Sequence, residues 1–413
     1  MSSSRPVVKV IAIGYNTEGT GLTRVMNSIM HRLADRHEIH FLGIGYSGSI
    51  IRWQRLTIYP TNPNGGDVFA AFQAMRMIEE IKPDLLFIMH DIWVFEYYLR
   101  LLGPYRDRLK IVAYIPLDGR IINEEDAAPL EQCDRVAGYS RFAQNEFEQA
   151  FRRLRQKCGS GVFPAVDAIP HGVDTDTFFP LPAGTGLDSP GRAEAKRKVF
   201  GEFPGFEDSF VVLNASRPDQ RKRLDLTIAG FARFAADKPA NVRLCLHYAI
   251  RGNPEEDRIA GLIREHGIAG RVFLSPLGPV PVGDSELNLL YNACDVGINT
   301  AMGEGWGLVS FEHAATGAPQ VVPDHTACSE IWRGHAELIP VVKSYIPAFT
   351  VLEMGEVSPK GVAQALENLY SNPELRQRLA HAGFALTHRP EYSWQGIPDR
   401  FDDLFVELAT SLQ

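Results

Sequence analysis

Short apolar runs alternate with segments of helical periodicity along nearly the whole chain, and this constrains the fold more than any other feature. VVKVIAIG (residues 7–14) reads as a buried strand. A Gly-rich loop, YNTEGTG, follows it, and then LTRVMNSIMHRLADR, where Leu22, Val25, Met26, Ile29, Met30 and Leu33 recur with helical spacing. EIHFLGIG, DLLFIMH, KIVAYIP and RVAGYS continue as strands, with VFAAFQAMRMIEEIK as an amphipathic helix. The pattern breaks at AIPHGVDTDTFFPLPAGTGLDSPG (168–191), rich in Pro, Gly and Asp, which reads as an interdomain linker. A second series runs from FVVLNAS through LDLTIAGFARFAAD, VRLCLHYAI, EDRIAGLIREHG and RVFLSPLG to ELNLLYNAC, DVGINTA, LVSFEHAATG and APQVVP. Repeated βα units of this kind predict an α/β chain. Two doubly wound parallel-sheet domains in sequence imply a deep cleft between the carboxyl ends of their strands.

The 413 residues suit two or three domains. Asp and Glu (50) outnumber Lys and Arg (42), so the basic footprint of a general nucleic-acid binder is missing. Cys133, Cys158, Cys245, Cys294 and Cys328 never stand as C-x-x-C, which argues for a reducing compartment and against a zinc cage. MSSSRPVVKVIAIG reads as a polar tail entering a strand rather than a signal peptide, and DLLFIMHDIWVF is too short to span a bilayer. The expected location is cytoplasmic.

Three motif matches carry little. GIGYSG (Gly43, Gly45, Gly48) fits a dinucleotide fingerprint, but the following SIIRWQRLTIYP looks extended where a helix is required. Gly14 and Gly19 have P-loop spacing, yet Thr20 and Gly21 occupy the positions of Lys and Ser/Thr. Asp174 and Asp176 resemble a metal-binding carboxylate pair, but they lie in the linker, where a turn or cap is the simpler role.

The informative stretch is DVGINTAMGEGWGLVSFEHAATGAPQVV. A strand ends near Thr300, a Gly-rich turn follows, and a helix begins near Gly307 or Leu308. The free amides of Gly305, Trp306, Gly307 and Leu308 would then lie at a helix N-terminus, which favours an anion. Glu304 precedes the turn and Glu312 lies in the helix. Carboxylates accept sugar hydroxyls, so one on either side of a phosphate-binding turn suits a nucleotide sugar. The bland alternative makes Glu304 a cap and Glu312 an exposed helix position. FVVLNASRPDQRKRLDLTI also ends a strand and places Arg217, Arg221, Lys222 and Arg223 in the next loop, where a diphosphate is the obvious ligand. A solvated surface loop is the competing reading. Gly19 and Gly21 in TEGTGLTR would let backbone approach the same phosphates.

With these motifs in order, the chain resembles glycosyltransferase family 4, retaining enzymes of the GT-B fold with two Rossmann-like domains. The likeness covers the Gly-rich first loop, the linker phrase IPHGVDTDTFFP, Arg217 followed five positions later by Lys222, and Glu304 paired with Glu312. The resemblance implies that Arg217 and Lys222 hold the donor diphosphate with the backbone from Gly305 to Leu308. It further implies that Glu304 contacts the transferred sugar, that Glu312 contacts the ribose, and that Gly19 and Gly21 form the family's first loop. The family's first-domain histidine is missing after KIVAYIP; Asp118 is the candidate replacement, or else a turn residue before Gly119. His90, at the end of FIMH, is an acceptor-side candidate with Asp118, and His171 is expected to shape the linker.

The resemblance thus implies retaining transfer of a hexosyl group from a GDP-mannose or UDP-glucose type donor, without metal or cofactor. The donor base would lie over Pro276–Gly278. The expected domains are 1–172 (acceptor side), 173–390 (donor side, opening with a linker to about 208) and 391–413, a final helix entered through Tyr392–Trp394 that returns to the first domain. Epimerase, phosphorylase and binding-protein readings without turnover stay open, as does the acceptor: sugar, lipid-linked or another small molecule. A peripheral membrane contact through Arg152–Lys157 competes with a plain solvated helix face.

Overall fold

The computed structural model describes residues 5–61, 63–159, 161–182, 191–203, 205–206, 208–248, 252, 254–278 and 281–412. The chain forms two compact units: residues up to His171 with 348–352 and Trp394 onward, and residues 172–347 with 353–393.

In the first unit the strands are β1 (Lys9–Tyr15), β2 (Glu38–Ile44), β3 (Ile51–Trp53), β4 (Leu56–Pro60), β5 (Leu85–Met89), β6 (Lys110–Ile115), β7 (Arg135–Gly138) and β8 (Ala165–Ala168). They form one sheet in the order β3-β4-β2-β1-β5-β6-β7-β8, parallel except for the β3–β4 hairpin. Helices α1 (Gly21–Leu33), α2 (Ala71–Ile81), α3 (Phe95–Leu102) and α4 (Arg141–Cys158) connect them. Local chemistry sets the helix ends: Ser140 Oγ accepts the Ala143 amide at the start of α4, and Gly159 (φ 69°) closes it. The strand centres carry Val10–Ile13 and Leu85–Ile88, all buried on both faces, as βα crossovers require.

The second unit contains α5 (Gly191–Phe200), β9 (Phe210–Asn214), α6 (Leu224–Ala235), β10 (Val242–Leu246), α7 (Pro254–Glu265), β11 (Val272–Leu274), α8 (Asp284–Ala293) and β12 (Val296–Ile298). It continues through α9 (Leu308–Ala315), β13 (Gln320–Pro323), α10 (Thr326–Trp332), β14 (Glu337–Ile339), the hairpin β15 (Val341–Tyr345) and β16 (Met354–Val357), α11 (Pro359–Ser371) and α12 (Pro373–Thr387). Its parallel sheet has the order β11-β10-β9-β12-β13-β14. The order reverses between β9 and β12, as it does between β1 and β5 in the first unit. Ligands of open α/β sheets bind beyond the strand carboxyl ends at such switch points.

The last helix, α13 (Ile397–Thr410), belongs to the first unit. Phe401 and Phe405 meet the Phe87 ring edge-on. Asp402, buried beside them, accepts from His37 Nε2 (2.9 Å), Arg36 (2.7 Å) and Arg5 (2.6 Å). Burial without such partners would be costly for a carboxylate.

Several elements differ from the sequence reading. The linker expected over 173–208 contains α5, in which Ala195, Val199 and Phe200 are buried and Arg192 donates to the Cys294 carbonyl (2.7 Å). Residues 183–190 of that linker lie outside the described residues. The expected continuous domain 173–390 is interrupted, since Leu352 is buried in the hydrophobic cluster of the first unit. Asp174 Oδ1 accepts the Asp176 amide (3.0 Å), so this acidic pair forms a turn. GIGYSG leads from β2 towards β3 with no helix behind it. Among the described residues, no helix is long and apolar enough to cross a membrane.

Candidate functional site

Two loops of the second unit leave the switch point from adjacent strand ends. After β9, Asn214 Oδ1 accepts the Ser216 amide (3.0 Å), and Asp219 Oδ1 accepts the amides of Arg221 and Lys222 (3.0 and 3.2 Å). Residues 219–222 are thereby wound into a tight turn. After β12, Asn299 Oδ1 accepts the Ala301 amide (2.8 Å), and the chain passes through Gly303–Gly307 into α9. Gly307 has φ 94°, a left-handed conformation that glycine adopts without strain. The Met302 amide donates to the Arg221 carbonyl (2.8 Å), stitching one loop to the other.

The side chains converge on Glu304, which is buried. Lys222 Nζ donates to its Oε1 at 2.6 Å and Asn299 Nδ2 to the same oxygen at 3.0 Å, while Arg221 Nη1 donates to Oε2 at 3.2 Å. Burial alone would raise the Glu304 carboxyl; the Lys222 and Arg221 charges, with hydrogen bonds from Lys222 and Asn299, outweigh it and hold the group at about 2. The carboxylate is therefore ionised at neutral pH. Two cations, one anion and the start of α9 thus occupy a volume largely closed to water.

Not every predicted residue joins this cluster. Arg217 has a side chain 61% exposed and lies 3.7 Å from Asp219, apart from the Lys222–Glu304 pair. Glu312 is buried within α9, where Tyr291 Oη donates to its Oε2 (3.1 Å). Neither bland expectation holds, because the N-cap of α9 is Gly307 rather than Glu304 and Glu312 is buried. Gly305 is buried, the Trp306 ring packs on Phe311 and Tyr392 (centroids 5.2 and 5.4 Å), and Leu308 opens α9. Arg223, grouped with the loop cations in the sequence, is instead engaged by Asp225 (Nε and Nη2, both 3.0 Å) and by Glu356. Pro276–Gly278 forms a turn after β11, with the Gly278 amide donating to the Ser275 carbonyl (2.8 Å). Asn299 was missed in the sequence; its only signal was a polar residue closing an apolar strand.

At the switch point of the first unit, Gly19 (φ 74°) turns the chain and Gly21 is the first residue of α1. The Thr20 and Thr23 hydroxyls both donate to the Thr17 carbonyl (2.9 Å each), which fixes the loop. His90 follows β5 and is wholly buried, packed by Tyr15 and Phe69 (5.1 Å each), Tyr98 (6.1 Å) and Trp93 (6.2 Å). Its Nδ1 accepts the Asp91 amide (2.8 Å), which places the ring proton on Nε2. Burial pushes the imidazole down to about 4, so it is neutral near pH 7. Asp118 is partly buried in the loop after β6. His171 ends the first unit's main segment against Tyr139 (3.9 Å), and burial lowers it to about 3. In the basic run of α4, Arg153 faces Glu124 (3.5 Å) and Lys157 faces Glu125 (2.5 Å). Among the described residues, no group of three or more His, Cys, Asp and Glu side chains could hold a metal ion.

Residues 196–385, which carry the whole Lys222–Glu304 cluster, match the model described as glycosyl transferases group 1. This region is similar to the group 1 glycosyltransferases, over a little less than half of the chain. A D-inositol 3-phosphate glycosyltransferase of Streptomyces griseus is 27% identical over 251 residues, covering 59% of this chain and 49% of that protein. A mannosylfructose-phosphate synthase of Agrobacterium fabrum is 29% identical over 167 residues, covering 39% and 33%. The chain spans about half the length of the curated relatives it matches. Among solved structures, the sucrose-phosphate synthase of Thermosynechococcus elongatus superposes with a TM-score of 0.71 at 16% identity, covering 98% of this chain and all of that one (100%). The Anabaena protein HepE in complex with UDP and glucose gives 0.68 at 14% identity, covering 96% and 99%. The group 1 region is the second Rossmann-like unit of a GT-B fold.

Proposed function

We propose that this chain transfers a hexosyl group from a nucleotide sugar of the UDP-glucose or GDP-mannose type to an acceptor hydroxyl, with retention and without a metal ion. The observation that carries the reading is the pairing of half-buried Lys222 and Arg221 with buried Glu304 at a switch point, beside the amide-bearing start of α9.

Breaking the anomeric carbon–oxygen bond leaves negative charge on the departing nucleoside diphosphate. Fixed cations and helix-end amides stabilise that charge more than the ground state, and they need no reorganisation as it develops. Lys222 supplies one such cation and Arg217, reaching from solvent, a second. Glu304 holds Lys222 in place and offers carboxylate oxygens to sugar hydroxyls, while Glu312 takes the ribose. Loss of one preorganised charge partner of this kind typically costs about 3 kcal/mol, roughly a hundredfold in rate. His90 and Asp118, at strand ends of the first unit, serve the acceptor. The HepE structures hold UDP, glucose or UDP-glucose, and the D-inositol 3-phosphate enzymes act on a phosphorylated polyol, so both kinds of compound head the screen.

The test is nucleotide release from UDP-glucose and GDP-mannose, with and without added acceptor and with EDTA present. Release that depends on acceptor and survives EDTA supports the proposal; a protein that binds UDP and GDP but never releases nucleotide from either sugar is a binding protein.

A further inference from the structure

Lys222 is followed by a residue in an unusual backbone state. Arg223 has φ 48° and ψ 49°, a left-handed conformation in a residue that carries a Cβ, and it is also the N-cap of α6 without any side-chain cap bond. Non-glycine residues stay in this region only when their surroundings hold them there, and such strain collects at functional sites. Here the surroundings are specific. Arg223 Nε and Nη2 donate to Asp225 at 3.0 Å each, and Nη1 donates to Glu356 on β16. Tyr345 Oη, from β15, donates to the same Glu356 oxygen at 3.0 Å, so the hairpin fixes the carboxylate that fixes the arginine.

The backbone is gripped from the other side. Thr300 Oγ1 donates to the Arg223 carbonyl at 2.9 Å and the Lys222 carbonyl at 3.2 Å. Behind it runs a buried chain, Asn214 Nδ2 to Thr227 Oγ1 (2.9 Å) and Thr227 Oγ1 to Thr300 Oγ1 (2.7 Å), in which each hydroxyl both accepts and donates. On the far side of Lys222 stands the Asp219 turn. Lys222 is therefore held between two constrained backbone segments, with its Nζ directed at Glu304.

We propose that Arg223 is a positioning residue rather than a third phosphate cation: the Asp225–Glu356 clamp locks its backbone left-handed, and that lock aims Lys222 at the donor. This rests on the donor-site reading above. The two roles make opposite predictions for two substitutions that remove the same charge. If the guanidinium met phosphate, Arg223→Ala and Arg223→Gly would be equally harmful. If the backbone is what matters, alanine loses the clamp and relaxes out of the left-handed region, whereas glycine occupies it freely.

The experiment measures donor KM and kcat, together with the Kd for UDP and GDP, in Arg223→Ala, Arg223→Gly, Glu356→Gln and the Arg223→Gly, Glu356→Gln double variant. Circular dichroism and thermal unfolding confirm that each is folded. Arg223→Ala and Glu356→Gln are expected to raise donor KM and the diphosphate Kd on the order of tenfold. Arg223→Gly should recover most of that loss, and Glu356→Gln should add little in the Arg223→Gly background. Equal impairment of Arg223→Ala and Arg223→Gly, or no impairment in Arg223→Ala, overturns the proposal. If Arg223→Ala does not fold, the Glu356→Gln pair of measurements decides alone. A crystal structure of whichever impaired variant folds separates this idea from the donor reading. A backbone relaxed to negative φ with the Lys222–Glu304 pair broken supports the lock even if no nucleotide binds. An unchanged φ with the pair intact removes it even if UDP or GDP binds tightly.

Discussion

At the switch point of the second unit a half-buried ammonium and guanidinium lie within 3.2 Å of a buried carboxylate, whereas at that of the first a neutral imidazole lies among four aromatic rings. The same parallel topology has been filled with opposite materials. Desolvated charges are costly to assemble and become useful where new charge must be met. A desolvated neutral histidine among rings recognises shape and a single hydrogen bond. The contrast fits a donor whose leaving group is an anion and an acceptor whose reacting group is a hydroxyl.

Removing charge from the second unit is the strongest way to break this contrast. The Arg217→Ala, Lys222→Ala double variant should lose more than about a hundredfold in kcat/KM for nucleotide release while keeping its circular dichroism spectrum. Near wild-type turnover would leave the charged cluster without a role. Next comes Glu304→Gln, which removes the carboxylate that Lys222 and Arg221 share and should cost about 3 kcal/mol in urea unfolding.

The same residue sharpens the comparison through pH. Glu304 is held at about 2 in the folded chain against an ordinary 4.5, so the unfolded state takes up the proton first. Its contribution is fully present above pH 4.5 and is lost as pH falls from there towards 2. The stability difference between wild type and Glu304→Gln should therefore shrink across that window, read from unfolding midpoints at several pH values.

Smaller effects probe the first unit. His90→Phe keeps a ring in the aromatic nest but removes Nε2; it should raise acceptor KM about tenfold, the worth of one buried hydrogen bond, and leave UDP or GDP affinity unchanged. A change in diphosphate Kd instead would erase the proposed division of labour. Arg217→Ala alone should be the mildest for stability, within about 0.5 kcal/mol, because its side chain lies in solvent.

Much of this arrangement was legible in residue order. The β9 and β12 runs, the loops behind them and the start of α9 all follow from apolar runs ended by Gly, Asn or charge. Segment α5 escaped because half of GRAEAKRKVF is charged, and Arg192 is accommodated by reaching the carbonyls of Cys294 and Thr316. The hairpin β15–β16 has short strands with little alternation, whereas Ser358-Pro359 and Asn372-Pro373 do announce α11 and α12 as caps followed by proline. Periodicity also cannot say which loop cation faces inward. Arg217, Arg221, Lys222 and Arg223 look alike in sequence; in the fold Arg217 lies in solvent, Arg221 and Lys222 meet Glu304, and Arg223 meets Glu356.

The central claim is that the loop cations around Glu304 in the second unit exist to grip a nucleoside diphosphate. Isothermal titration of UDP and of GDP into wild type and Lys222→Ala tests it most directly. At least one of the two should bind the wild type saturably and lose about a hundredfold in affinity with the lysine gone. Equal binding by both proteins, or none by the wild type, contradicts the account.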